Sequence, residues 1–155
     1  KILKRIDKGI MACILVTMTK LYQHLKTQSE KINETNDCAV KAIAVACGIQ
    51  YKDAWNLARK FGRRFRGRTN SYRITFPAIK SKGFVCTDVW DHKMNKAKTI
   101  RSLKPLIPSR GVFLVFVRGH VFAVRGGEIH DWSEGRCHRI TLIVRVSKKT
   151  VDIAE

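Results

Sequence analysis

The sequence predicts an α+β domain, with helices first and an antiparallel β-sheet after them. Helical spacing and helix caps dominate the first eighty residues, whereas unbroken apolar runs typical of strands begin at Val112. Gly126 and Gly127 then separate the expected strands His120–Val124 and Glu128–Trp132, which is the signal of a two-residue hairpin. No internal repeat and no second domain is visible, so residues 18–155 are expected to form one domain. A chain of 155 residues is long enough for a single core that buries roughly two-thirds of the unfolded surface.

In chain order, Thr19 to Lys31 places Leu21, Leu25 and, less clearly, Tyr22 on one helical stripe. The polar connector 33–37 ends in Asn36 and Asp37, both good N-cap residues. Cys38 to Cys47 follows and is closed by Gly48, the residue expected just past a helix C-terminus. Apart from Lys41 this helix is apolar on every side, so it is expected to run through the core. A third helix fits Tyr51 to Phe61, with Ala54, Trp55, Ala58 and Phe61 facing inward. Residues 59–68 are a dense basic loop. Phe76 to Lys82 reads as a short helix, Phe84 to Trp90 as a strand, and Thr99 to Lys104 as helical before Pro105. The expected sheet strands are Val112 to Val117, His120 to Val124, Glu128 to Trp132 and Ile140 to Val146.

Charge is the outstanding bulk property. Lys and Arg number 31 against 12 Asp and Glu, a net charge of +19. Such a surface attracts polyanions, so nucleic acid is a plausible partner. The basic stretch supplies Arg63, Arg64, Arg66, Arg68 and Arg73 as candidate phosphate contacts, interleaved with Phe61, Phe65 and Tyr72 as stacking surfaces. The alternative is a solvated loop whose aromatics anchor it to the core.

The five cysteines form no C-x-x-C pair and lie in mostly apolar surroundings, which reads as reduced thiols. Cys137, His138 and His130 offer metal-binding atoms at a spacing that matches no common zinc pattern, so no metal is expected. No apolar run approaches the roughly 20 residues of a membrane span. The basic start followed by Ile10 to Val16 resembles a signal peptide without a small-residue cleavage site. Met11 and Met18 can each serve as a start, and residues 1–17 are expected to be an extension outside the domain.

One constellation carries chemistry. Thiolates are favoured in the first turn of a helix, where free N–H groups and the positive end of the dipole meet. Cys38 occupies that position, while Cys47 lies at the opposite end of the same helix. A nucleophilic thiolate also needs an imidazole, and the imidazole an orienting acceptor. With Gly126–Gly127 as the turn, Phe122 pairs with Asp131 and His120 lies two residues along on the same face. That diagonal spans about 5.5 to 8 Å between Cβ atoms, close enough for a His–Asp hydrogen bond. Moving the turn back by one residue sets His120 directly opposite Asp131, which serves equally well. His130 points to the other face. Asp131 can alternatively serve as a turn residue or pair with a nearby Arg such as Arg125, and Trp132 can shield a His–Asp pair from water.

The stretches Asn36-Asp-Cys-Ala-Val-Lys-Ala-Ile-Ala44, Gly119-His-Val-Phe-Ala-Val124 and Ile129-His-Asp-Trp132 resemble papain-like cysteine peptidases. More narrowly, they are similar to the small bacteriocin-processing peptidases and to peptidase-like proteins of bacteriophages and mobile elements. The resemblance covers residues 33–146. It implies a papain-like fold with the nucleophile on a buried central helix, packed on a C-terminal antiparallel sheet. It implies cleavage of an amide bond in a protein or peptide by Cys38, His120 and Asp131, without a cofactor. It further implies a place in a host-cell cytoplasm or on a virion. That family pattern carries a Gln near position 32 as oxyanion donor, where this chain has Ile32. The backbone N–H of Cys38 remains available, and Asn33 or Asn36 can supply a side-chain amide. If neither points inward, the protein is expected either to hydrolyse slowly or to act as a silent basic module on the same fold that binds nucleic acid or a virion or host component.

Overall fold

The computed structural model describes residues 18–150, so the expected extension 1–17 lies outside the described residues. Helix α1 (Lys20–Lys31) starts at Thr19, whose hydroxyl accepts the N–H of Tyr22. Its inward stripe is Tyr22, Leu25 and Ser29, at spacings of three and four. Leu21, expected on that stripe, is 40% exposed. The helix is rotated so that Ser29 can donate to buried Asp37 at 2.5 Å, and that rotation turns Leu21 outward.

Helix α2 (Cys38–Cys47) is the buried central helix, with Ala39, Val40 and residues 42–46 out of solvent. Gly48 closes it in the left-handed region at φ 64°. Helix α3 (Tyr51–Lys60) buries Tyr51, Ala54 and Ala58, while Trp55 and Phe61 pack only partly against the core. The chain then passes through a π-type turn, Ser71–Thr75, directly into α4 (Phe76–Ser81). Strand β1 (Phe84–Asp88) is shorter than expected. The chain turns at Val89, whose carbonyl accepts the His92 N–H, and Trp90 is left on the surface. Short helical turns follow, among them α5 (Ile100–Leu103), held by a Thr99–Ser102 capping box.

The remaining strands are β2 (Val112–Val117), β3 (His120–Arg125), β4 (Glu128–His130) and β5 (Ile140–Lys148). They form one antiparallel sheet in the order β1-β5-β2-β3-β4. Among the described residues the fold is therefore five α-helices and a five-stranded antiparallel sheet, an α+β architecture. Both faces of the sheet are covered. Helices α1 to α4 pack on one face over Leu114, Val121, Ala123, Val144 and Val146. The 89–107 segment covers Phe113, Val115, Phe122, Val124 and Ile143 on the other.

Helix α2 lies along β3, and the two elements match in length. Ten helical residues rise about 15 Å, and six strand residues span about 17 Å. At the C-terminal end of α2, Arg125 donates to the carbonyl of Val45 at 2.7 Å. At its N-terminal end, Cys38 meets His120. One strand therefore grips both ends of the helix.

Candidate active site

The hairpin register is Arg125↔Glu128, Val124↔Ile129 and Ala123↔His130. Gly126 and Gly127, at φ 60° and 80°, form the turn. Of the two registers compatible with the sequence, the fold takes the one that puts His120 diagonal to Asp131. The His120 Nε2 to Asp131 Oδ2 distance is 2.6 Å. Strand β4 stops at His130 rather than running on to Trp132, because Asp131 accepts both the backbone N–H and the hydroxyl of Ser133. This local Asx-type turn bends the chain out of the sheet.

The early end of β4 leaves an opening beside β3. Val117 and His120 close the tight β2–β3 turn, so the next residue, Val121, directs its N–H to the opposite edge of the strand. Strand β4 no longer covers that edge, and the sulfur of Cys38 takes its place, near enough to the N–H groups of Val121 and Ala39 for them to favour its thiolate. His120 lies beside Cys38 on the wall of the site, and each favours the charged form of the other. With Nε2 on Asp131, Nδ1 is the nitrogen left for sulfur.

These contacts set the electrostatics. Burial alone raises the Cys38 pKa, but the His120 hydrogen bond and charge and the two backbone N–H groups bring it below the usual thiol value. Burial likewise opposes the imidazolium of His120. The hydrogen bonds and charges of Asp131 and Cys38 outweigh it and raise the pKa from 6.5 to about 9. Burial pushes the other two core cysteines the opposite way, Cys47 and Cys86 each to about 11. Trp132 stacks beside the pair with its ring centroid 5.3 Å from that of His120, although it stays 43% exposed.

Two cavities open on the Cys38–His120 pair. One, of about 270 Å³, is walled by Ala39, Phe116, Val117 and Val121 on the apolar side and by Arg68, Thr69 and Ser71 on the polar side. The other, of about 220 Å³, is bounded by Tyr22, Lys41, Asp131 and Trp132. Asn36 and Gly119 border both.

Several candidate residues stand elsewhere or act otherwise than expected. Neither Asn36 nor Asp37 caps α2 with its side chain. Asn36 adopts φ 53° and donates its amide to the Arg66 carbonyl at 3.0 Å. The buried carboxylate of Asp37 instead accepts from Ser29, Tyr51 and Lys41. Asn33 borders neither cavity, and its carbonyl accepts from Arg66 Nε, so its amide is no oxyanion donor.

Arg63 must be removed from the surface cations. It is buried, and its guanidinium meets Glu34 at 3.0 Å, Thr69 Oγ1 and the Thr35 carbonyl. Glu34 also accepts from Trp55 Nε1 and from the Thr35 and Arg66 N–H groups. Burial would raise the Glu34 pKa, yet these donors lower it to about 2. Arg64, Arg66, Arg68 and Arg73 are exposed, and so are Phe65 and Tyr72. Arg125 binds α2, not Asp131.

Sequence reasoning missed Ser133, which steadies Asp131, and Tyr22, which borders the second cavity. His130 orients the helix that carries Tyr22, since its Nδ1 lies 2.8 Å from the Thr19 hydroxyl. Among the described residues, no group of three or more His, Cys, Asp or Glu is placed to hold a metal ion. No described helix is long and apolar enough to cross a membrane. The chain matches no protein-family model, no curated protein and no solved structure.

Proposed function

We propose that the protein is a papain-like cysteine hydrolase that cleaves an amide bond of a protein or peptide. The observation that carries this reading is a thiol of lowered pKa at a helix start, beside an imidazole that is itself held by a buried carboxylate. In this mechanism the Cys38 thiolate attacks the carbonyl carbon, forming a C–S bond and an oxyanion. The His120 imidazolium gives its proton to the departing amide nitrogen as the C–N bond breaks. Water then attacks the thioester while His120 accepts a proton from it. A carboxylic acid leaves and the thiolate–imidazolium pair is restored. Asp131 keeps Nε2 engaged, so Nδ1 stays directed at sulfur. A host-cell cytoplasm or a virion is the setting this reading suggests.

Iodoacetamide labelling near neutral pH tests it. Cys38 should be modified fast, and His120→Ala should abolish that advantage. Equal, slow labelling of every cysteine would sink the proposal.

The exposed cations Arg64, Arg66, Arg68 and Arg73 with Phe65 and Tyr72 favour a second reading, a basic module that binds nucleic acid. It requires affinity for single-stranded nucleic acid that falls steeply with salt. Affinity that does not change with salt would exclude it.

A further inference from the structure

An acyl transfer at Cys38 develops negative charge on the carbonyl oxygen, and that charge needs at least two donors in place beforehand. The first is the N–H of Cys38, which has no backbone acceptor among the described residues. The walls of the cavity that Cys38 shares with Asp131 offer a second. Of the polar side chains there, Asn36 gives one amide N–H to Arg66, Lys41 is drawn toward Asp37 at 2.9 Å, and Trp132 is 43% exposed. Asp37 and Asp131 are acceptors, already engaged. Tyr22 remains. Its ring is buried, with the residue 4% exposed, yet it borders the cavity together with Cys38 and His120. Its hydroxyl has no hydrogen-bond partner among the described residues.

Resting on the hydrolase reading, we propose that Tyr22 is the second oxyanion donor, its hydroxyl binding the carbonyl oxygen opposite the Cys38 N–H. Two features suit it to the task. Thr19 holds the first turn of α1 by accepting the Tyr22 N–H and is itself bonded to His130 of β4, so the ring is anchored to the same hairpin as His120 and Asp131. Burial and the nearby charges of Asp131, Asp37 and Cys38 also push the Tyr22 pKa upward. The phenol therefore keeps its proton across the working pH range and is always a donor.

Two reactions of Cys38 separate this role from support of the thiolate. Acylation by p-nitrophenyl acetate passes through an oxyanion, whereas alkylation by iodoacetamide does not. Tyr22→Phe keeps the buried ring and removes only the hydroxyl. It should slow acylation about a hundredfold and leave the alkylation rate of Cys38 unchanged. If both rates are unchanged, or both fall together, Tyr22 is not the donor. If Asn36→Ala produces the selective loss and Tyr22→Phe does not, the donor is Asn36 and the proposal is overturned. A wild-type Cys38 no faster than the other thiols toward either reagent fails the hydrolase reading itself, and the assignment of Tyr22 falls with it.

Discussion

Cys38 and Cys47 sit at opposite ends of one helix, and their surroundings drive their acidity apart. Burial raises both, but only Cys38 has an imidazole and two N–H donors to offset it. In the proposed mechanism the state ready for attack is the thiolate–imidazolium pair. Alkylation of Cys38 should rise with pH at a midpoint below the usual thiol value, and His120→Ala should move that midpoint upward. The sign for stability follows from His120. Its folded pKa of about 9 exceeds its ordinary 6.5, so its contribution is complete below 6.5 and is lost as pH rises through 9. Urea unfolding of wild type should thus weaken across that interval relative to His120→Ala; parallel pH curves for the two proteins would contradict it. Cys38, His120 and Asp131 could be read in the sequence because each announces itself locally, by a helix start or by a place beside a glycine turn. Ser133 and the N–H of Val121 could not be, since their roles depend on β4 ending two residues earlier than its apolar pattern suggests.

At the level of elements, one wall of the cleft is a loop held from beneath. Arg63 joins Glu34 in a fully buried ion pair and reaches Thr69 Oγ1, and Thr69 and Arg68 line the cavity over Cys38. In the sequence Arg63 is one of many cations in a basic run, and nothing local marks it as the inward one. Its partner lies 29 residues earlier. Glu34→Ala strands a buried guanidinium and frees two backbone N–H groups, and breaking such a pair costs about 3–5 kcal/mol. Chemical denaturation should show a loss of that size, with proteolytic nicking gathering in residues 61–70. A loss no larger than that of an exposed charge substitution would show that the loop is held by other means. The caps and periods that mark α2, α3 and the hairpin are local, which is why those elements were legible. The rotation of α1 was not, because it is set by the contact of Ser29 with Asp37.

Taken whole, the molecule builds its site from two distant parts of the chain. Helix α2 belongs to the first third, and β3, β4 and Ser133 to the last. The order of helices and strands was readable from composition and period, whereas the sheet order β1-β5-β2-β3-β4, with β1 carried to the far edge, depends on long-range pairing. In refolding, rapid alkylation of Cys38 should therefore appear with the cooperative folding transition and not before it. Rapid labelling in an early helical phase would show that the helix start alone activates the thiol. The grip of β3 on both ends of α2 has a further consequence. Arg125 reaches Val45 across 80 residues of sequence, so during synthesis Cys38 emerges long before the strand that carries His120. In the proposed hydrolase, Cys38 would lack its imidazole until the hairpin has left the ribosome and docked, and the growing chain would be spared attack. Docking of the hairpin is itself the step that would arm it.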